Sequence, residues 1–161
     1  GAWIDSGSFL TGDILEKAMT YDIFTPKFKT VKSEDASRGK WVNGIWFSNG
    51  GNILFNFVYD SLIYFWRNHN RAVEYLAVDY ILWTAYNNLT DVKKLIDSIP
   101  YNNENIRLLN NHLHDTYDRD LYEEIIKVNQ IHVINRHQKY PIVDRNNNET
   151  FYGYLISGKL E

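Results

Sequence analysis

Ala2-Trp3-Ile4-Asp5-Ser6-Gly7-Ser8-Phe9-Leu10 is the stretch from which the rest of the chain is read. Three apolar residues run straight into a carboxylate, small hydroxyl and glycine residues follow, and an apolar pair then returns. A short apolar run closed by Asp and Gly predicts a buried strand whose C-terminal end opens into a loop. In open α/β sheets ligands bind at that end, because the loops leaving the strands line the crevice there. Asp5 would then stand at the lip of the sheet, placed for a metal, a ribose hydroxyl or a sugar. The alternative is an Asp that caps the helix beginning near Asp13, or one that closes a turn with its own side chain.

Composition limits what can surround this stretch. The chain has 161 residues, enough for one domain with a real core, and its 44% hydrophobic and 23% charged content suits a globular protein. A formal net charge of −3 gives no basic field for nucleic acid. With no cysteine there are no disulfides and no thiolate chemistry, which fits a reducing, cytoplasmic setting. No apolar run approaches the roughly 20 residues of a membrane span, and neither a span nor a signal peptide is expected from these residues. There is no initiator Met, so the chain reads as a fragment or a processed product, with residues 158–161 as a tail or cloning scar. We expect a single domain over 1–161, with no internal repeat.

Further along, Ile14, Leu15, Ala18 and Met19 predict a short amphipathic helix opened by Asp13. Tyr21 to Thr30 contains Pro26 and reads as an edge strand or extended loop. Lys27, Lys29, Lys32, Arg38 and Lys40 gather along the polar loop that follows, either to meet a diphosphate or as a solvated face. In Trp41-Val42-Asn43-Gly44-Ile45-Trp46-Phe47-Ser48-Asn49 both parities are apolar, which predicts a central strand with Gly44 at a bulge or close backbone approach. Asn52 would cap a helix over Ile53 to His69.

A second long helix, about Arg71 to Tyr86, is apolar almost all round and should be buried. Asp79 sits in its middle. A carboxylate there must be paired, hydrogen-bonded or open to a cleft. It is either a functional acid or a structural hydrogen-bond acceptor. Helices are also predicted from a Thr90-Asp91 cap to Pro100, from Asn103 to His114, and after a cap at Asp118. A strand is predicted at Ile131-His132-Val133-Ile134, a turn at Asn146-Asn147-Asn148, and a closing strand at Phe151-Tyr152-Gly153-Tyr154-Leu155. His112 and His114 would face different sides of one helix, which is poor metal geometry.

The opening motif, Gly1 to Gly12, resembles the central motif of the bacterial capsular polysaccharide synthesis proteins, relatives of the GT-A glycosyltransferases that use a DxD motif. Gly1, Trp3 and Asp5 fit that frame, with Gly7 where the second Asp would stand. The resemblance implies an α+β, helix-rich domain equivalent to the C-terminal half of a GT-A fold, the nucleotide-binding half preceding the motif. It implies transfer of a sugar from a nucleotide sugar to a saccharide acceptor in capsule or exopolysaccharide assembly, in the cytoplasm or peripherally at the inner membrane face. Asp5 and Ser6 would bind donor and metal, Mn²⁺ or Mg²⁺. Trp41, Trp46 and Asn49 would form the acceptor side, with Trp rings stacked on sugar faces or packed in the core. Asp79 would orient the acceptor or act on its hydroxyl, beside Tyr75 and Tyr80. His132 or His137 would reach the metal or pyrophosphate, as C-terminal histidines do in some GT-A enzymes. The competing expectation is a non-catalytic carbohydrate-binding or interaction module. Either way, self-association or a partner chain would cover the flank left open by a missing half.

Overall fold

The computed structural model describes residues 1–31, 37–71, 77–135 and 137–158. The polar loop around Lys32, the Tyr75 end of the second long helix, and Leu160-Glu161 lie outside these residues. The described elements run β1 (Ala2–Ile4), β2 (Ser8–Leu10), α1 (Ile14–Ala18), β3 (Ile23–Phe24), β4 (Ile45–Ser48), α2 (Ile53–Asn68), α3 (Ala77–Asn88), α4 (Thr90–Ser98), α5 (Leu108–His112), α6 (Arg119–Val128), β5 (Ile131–Val133) and α7 (Phe151–Ile156). This is a mixed, helix-rich chain.

The apolar content of both faces of β4 is explained by its place. It is the central strand of an antiparallel sheet ordered β1-β4-β3, with Trp3 opposite Trp46 and Phe24 opposite Phe47. Ile45, Trp46 and Phe47 are all buried. The strand begins at Ile45 rather than Trp41, because the chain turns just before it, with the Ile45 N–H donating to the Val42 carbonyl at 3.0 Å. A second sheet pairs β2 with β5 in antiparallel register, Phe9 opposite His132.

The expectation that Ala2–Ile4 is buried does not hold. β1 is an edge strand paired only with β4, and Trp3 is 69% exposed. Three apolar residues in a row cannot tell an edge from a centre, since that depends on what lies beside them. The strand expected at Phe151–Leu155 is the helix α7 instead. Thr150 caps it by accepting from the Gly153 N–H at 3.1 Å, and Phe151 and Leu155, one turn apart, are its buried pair.

Two apolar clusters result. The larger gathers α1, β3, β4, α3 and α4 around Trp41, Phe47 and Leu82, and Leu54 is the one buried residue of α2. The smaller gathers α5, α6 and α7 around Leu109, Ile125 and Phe151. Asn52 caps α2 through the Leu54 and Phe55 N–H groups, and Asp118 caps α6 through Leu121, as the sequence predicts. Three expectations need narrowing. α3 is not buried all round: Asp79, Leu82, Ala85 and Tyr86 face inward while Tyr80 is exposed. α4 begins at Thr90 itself, with Leu89 in the cap position, so Thr90-Asp91 is no cap. α5 covers only Leu108–His112, because Asn103 is buried and tied by bridges to Phe28 and Asn129.

Candidate functional site

Asp5 leaves the end of β1 and enters a tight turn. Its N–H donates to the Gly44 carbonyl at 2.7 Å, and its own carbonyl accepts from the Ser8 N–H at 2.9 Å. Glycine is required at position 44, since a Cβ there would lie 2.8 Å from the Asp5 Cβ. The close approach expected at Gly44 is thus what seats Asp5. It does not cap α1, whose cap position belongs to Asp13.

Asp79 arrives from the first turn of α3 and is only 9% exposed. Its Oδ1 accepts from the Trp41 Nε1–H at 3.1 Å, and the Asn43 side chain also bonds to it. Burial pushes its carboxyl above the usual carboxylate range, and those two bonds offset part of the rise. A carboxylate so raised is a better proton acceptor than an exposed one.

The structure brings these two acids together. Asp5 and Asp79 both line one cleft of about 830 Å³, whose wall includes Trp3, Asn43, Trp46 and Phe55. Trp46 meets Phe55 edge-on, with ring centres 5.8 Å apart.

Other predicted site residues stand elsewhere. Trp41 is fully buried against Trp83 and Tyr86, so both its faces are covered, and it bears on the site through its N–H to Asp79. It lines a smaller cavity of about 210 Å³ behind Asp79, not the cleft itself. Asn49 spends its amide nitrogen on the Met19 and Tyr21 carbonyls at 2.8 and 3.0 Å, bracing the turn between α1 and β3. Ser6 lines a shallow pocket with Phe9, Tyr140 and Tyr152. His132 is wholly buried on β5, with Nε2 3.1 Å from the Thr11 hydroxyl. Burial pushes its pKa down to about 4, so the ring is neutral at pH 7.

The described cations of the 27–40 region are engaged with other partners, and Lys32 lies outside the described residues. Lys27 is buried and donates to the Ile96 carbonyl, Lys29 pairs with Glu104, Lys40 pairs with Asp97, and Arg38 lies over the Trp83 ring. None of these four lines the cleft that Asp5 and Asp79 share.

Among the described residues no group of three or more His, Asp or Glu side chains could hold a metal by itself. Asp5 offers a single carboxylate at the cleft. A hard divalent ion commonly takes one or two carboxylates and completes its shell with substrate phosphate and water, so Asp5 fits that arrangement and the buried His132 does not. Sequence reading missed two residues. Asn43, inside an aromatic stretch, holds Asp79, and Arg107 lines two cavities, one touching Asp79 and one touching Asp5. Nothing in the local pattern around Arg107 marks it.

Comparison with known families gives one finding. The family model described as "Capsular polysaccharide synthesis protein" matches residues 1–155. Neither curated proteins nor solved structures yield a match.

Proposed function

The chain belongs to the capsular polysaccharide synthesis protein family, and from that premise we propose that it carries the acceptor side and the reacting acids of a GT-A-type glycosyltransferase. The reaction is transfer of a sugar from a nucleotide sugar to a saccharide acceptor. The observation that carries this reading is the convergence of Asp5 and Asp79 on one aromatic-walled cleft. Burial raises the Asp79 carboxyl, which suits a proton acceptor, while Asp5 is exposed at the same cleft and can face a cation.

In this reading the acceptor lies against Trp46 and Trp3, whose rings suit the C–H faces of a sugar. Its hydroxyl oxygen attacks the anomeric carbon of the donor while the bond from that carbon to the diphosphate oxygen breaks. The electron pair of that bond leaves with the nucleoside diphosphate. The hydroxyl proton passes to the Asp79 carboxylate, which Trp41 and Asn43 hold in place. Asp5 lies on the donor flank. A divalent ion held there between Asp5 and the diphosphate would offset the charge of the leaving group.

The test is a transfer assay on the full-length gene product with nucleotide sugars and saccharide acceptors. Asp79→Asn should lower kcat by on the order of a hundredfold with folding intact, and Asp5→Asn by a similar factor. Full activity in both variants would end the assignment. Saccharide binding without turnover in the wild type would turn it toward a carbohydrate-binding module.

A further inference from the structure

On the other flank of Asp5 lies a second pocket, of about 400 Å³, lined by Asp5, Arg107, Asn110, Asn135 and His137. Two of its side chains are amides that present donors, and hydrogen bonds to their oxygens are what make them so. The Asn110 Oδ1 is occupied by the Asn135 N–H at 2.7 Å and the Tyr140 hydroxyl at 2.8 Å. The Asn135 Oδ1 is occupied by the His137 N–H at 3.1 Å. A backbone N–H can only donate, so each amide must turn its oxygen toward that bond. Each then has its NH₂ left over, and neither NH₂ bonds to a described residue. The Arg107 guanidinium adds five N–H donors and a fixed positive charge, and it forms no ion pair with a described residue. The pocket is close beside the turn because position 7 is glycine: a Cβ there would lie 3.1 Å from the Ile134 carbonyl oxygen. Among the lining side chains, the Asp5 carboxylate brings the one negative charge that stands against these donors.

A pocket rich in N–H donors around an uncommitted guanidinium has the chemistry of an oxyanion site. We propose that this pocket, through Arg107 with the Asn110 and Asn135 amides, binds a diphosphate group, and that Asp5 stands between it and the acceptor cleft. That the diphosphate belongs to a sugar donor rests on the transferase reading above; that the pocket binds the anion does not. The arrangement also implies that Asp5 works against the anion when no cation lies between them.

Inorganic pyrophosphate is the probe, titrated into the chain by calorimetry in buffer free of divalent ions, with inorganic phosphate in a parallel arm. Pyrophosphate should bind several-fold more tightly than phosphate. Arg107→Gln should weaken it at least tenfold with an unchanged melting temperature, since the Arg107 side chain forms no ion pair with a described residue. Asp5→Asn should tighten it several-fold. No binding, equal binding of the two anions, or indifference to Arg107→Gln would overturn the proposal. In the transfer assay, Arg107→Gln should raise the donor KM at least tenfold. Sugar transfer with donor KM unchanged removes the pocket and leaves the transferase. Arg107-dependent pyrophosphate binding in a protein that transfers no sugar removes the transferase and leaves the pocket.

Discussion

His132 shows what one buried side chain does to stability. Its Nε2 meets Thr11, its Nδ1 has no partner among the described residues, and the whole ring is out of water. Its pKa is about 4 when folded, against an ordinary value of 6.5. The unfolded chain therefore binds the proton more readily than the native one between these values, and stability falls as the pH drops through that window. The loss should approach about 3 kcal/mol by pH 4. Urea unfolding at pH 7 and pH 4.5 checks this, with His132→Phe as the comparison: the variant should lose markedly less stability than the wild type over the same step. Equal losses would place the acid sensitivity in other groups. Asp79 has the opposite slope, since its raised pKa makes the folded state hold the proton, and the cost of its charge grows as the pH rises.

Among the elements, the β1–β4 pair runs on into the contact of Gly44 with Asp5, and the position of Asp5 depends on that contact. Gly44→Ala would force its Cβ against the Asp5 Cβ at 2.8 Å, so β1 must shift. We expect a loss of about 1–3 kcal/mol and at least a tenfold drop in kcat/KM, since a misplaced reacting group loses rate steeply. Gly50→Ala is the control: it borders the same cleft, and nothing lies within 4 Å of the added carbon. Thermal melts and kinetics on both variants decide the matter, and similar behaviour of the two would dismiss the contact.

What could be read from the sequence follows the same local logic. Asp5 and Asp79 stand out because each is an acid set in apolar surroundings, and Asn52 and Asp118 because a cap needs an acceptor at a fixed offset from a helical run. Phe151-Tyr152-Gly153-Tyr154-Leu155 misleads because aromatic residues around glycine suit a strand equally well. The deciding bond comes from Thr150, and the deciding neighbour is the Ile142 carbonyl, 2.1 Å from where a Gly153 Cβ would be. The exposure of β1 and the role of Arg107 depend on what lies beside them in space, which no local pattern records.

Over the whole molecule, large apolar residues are left uncovered on two flanks. Trp3 and Ile4 are exposed on β1, and Ile53, Tyr59 (65%), Tyr64 and Trp66 (54%) along α2. Among the described residues no helix is long and apolar enough to cross a membrane. Uncovered apolar surface of this kind, next to an edge strand, favours association. The chain should self-associate with rising concentration, and Trp3→Ser combined with Trp66→Ser should shift light scattering toward the monomer. A wild type that stays monomeric at high concentration would dismiss the expectation.

The turn at Asp5 ties the two sheets together. The Asp5 N–H is held by Gly44 in the first sheet, while two residues later the Gly7 carbonyl holds the Ile134 N–H at 2.7 Å in the second. The larger apolar cluster backs the first bond, and Ile134 packs against the smaller. Asp5 lines both the cleft and the donor-rich pocket, and the second sheet spans the two clusters, with Leu10 and Ile131 on the larger and Phe9, with the adjoining Ile134, on the smaller. Hydrogen exchange at the Asp5 and Ile134 amides thus reports the opening of each sheet contact, and a ligand seated on the turn between them must slow both clocks at once.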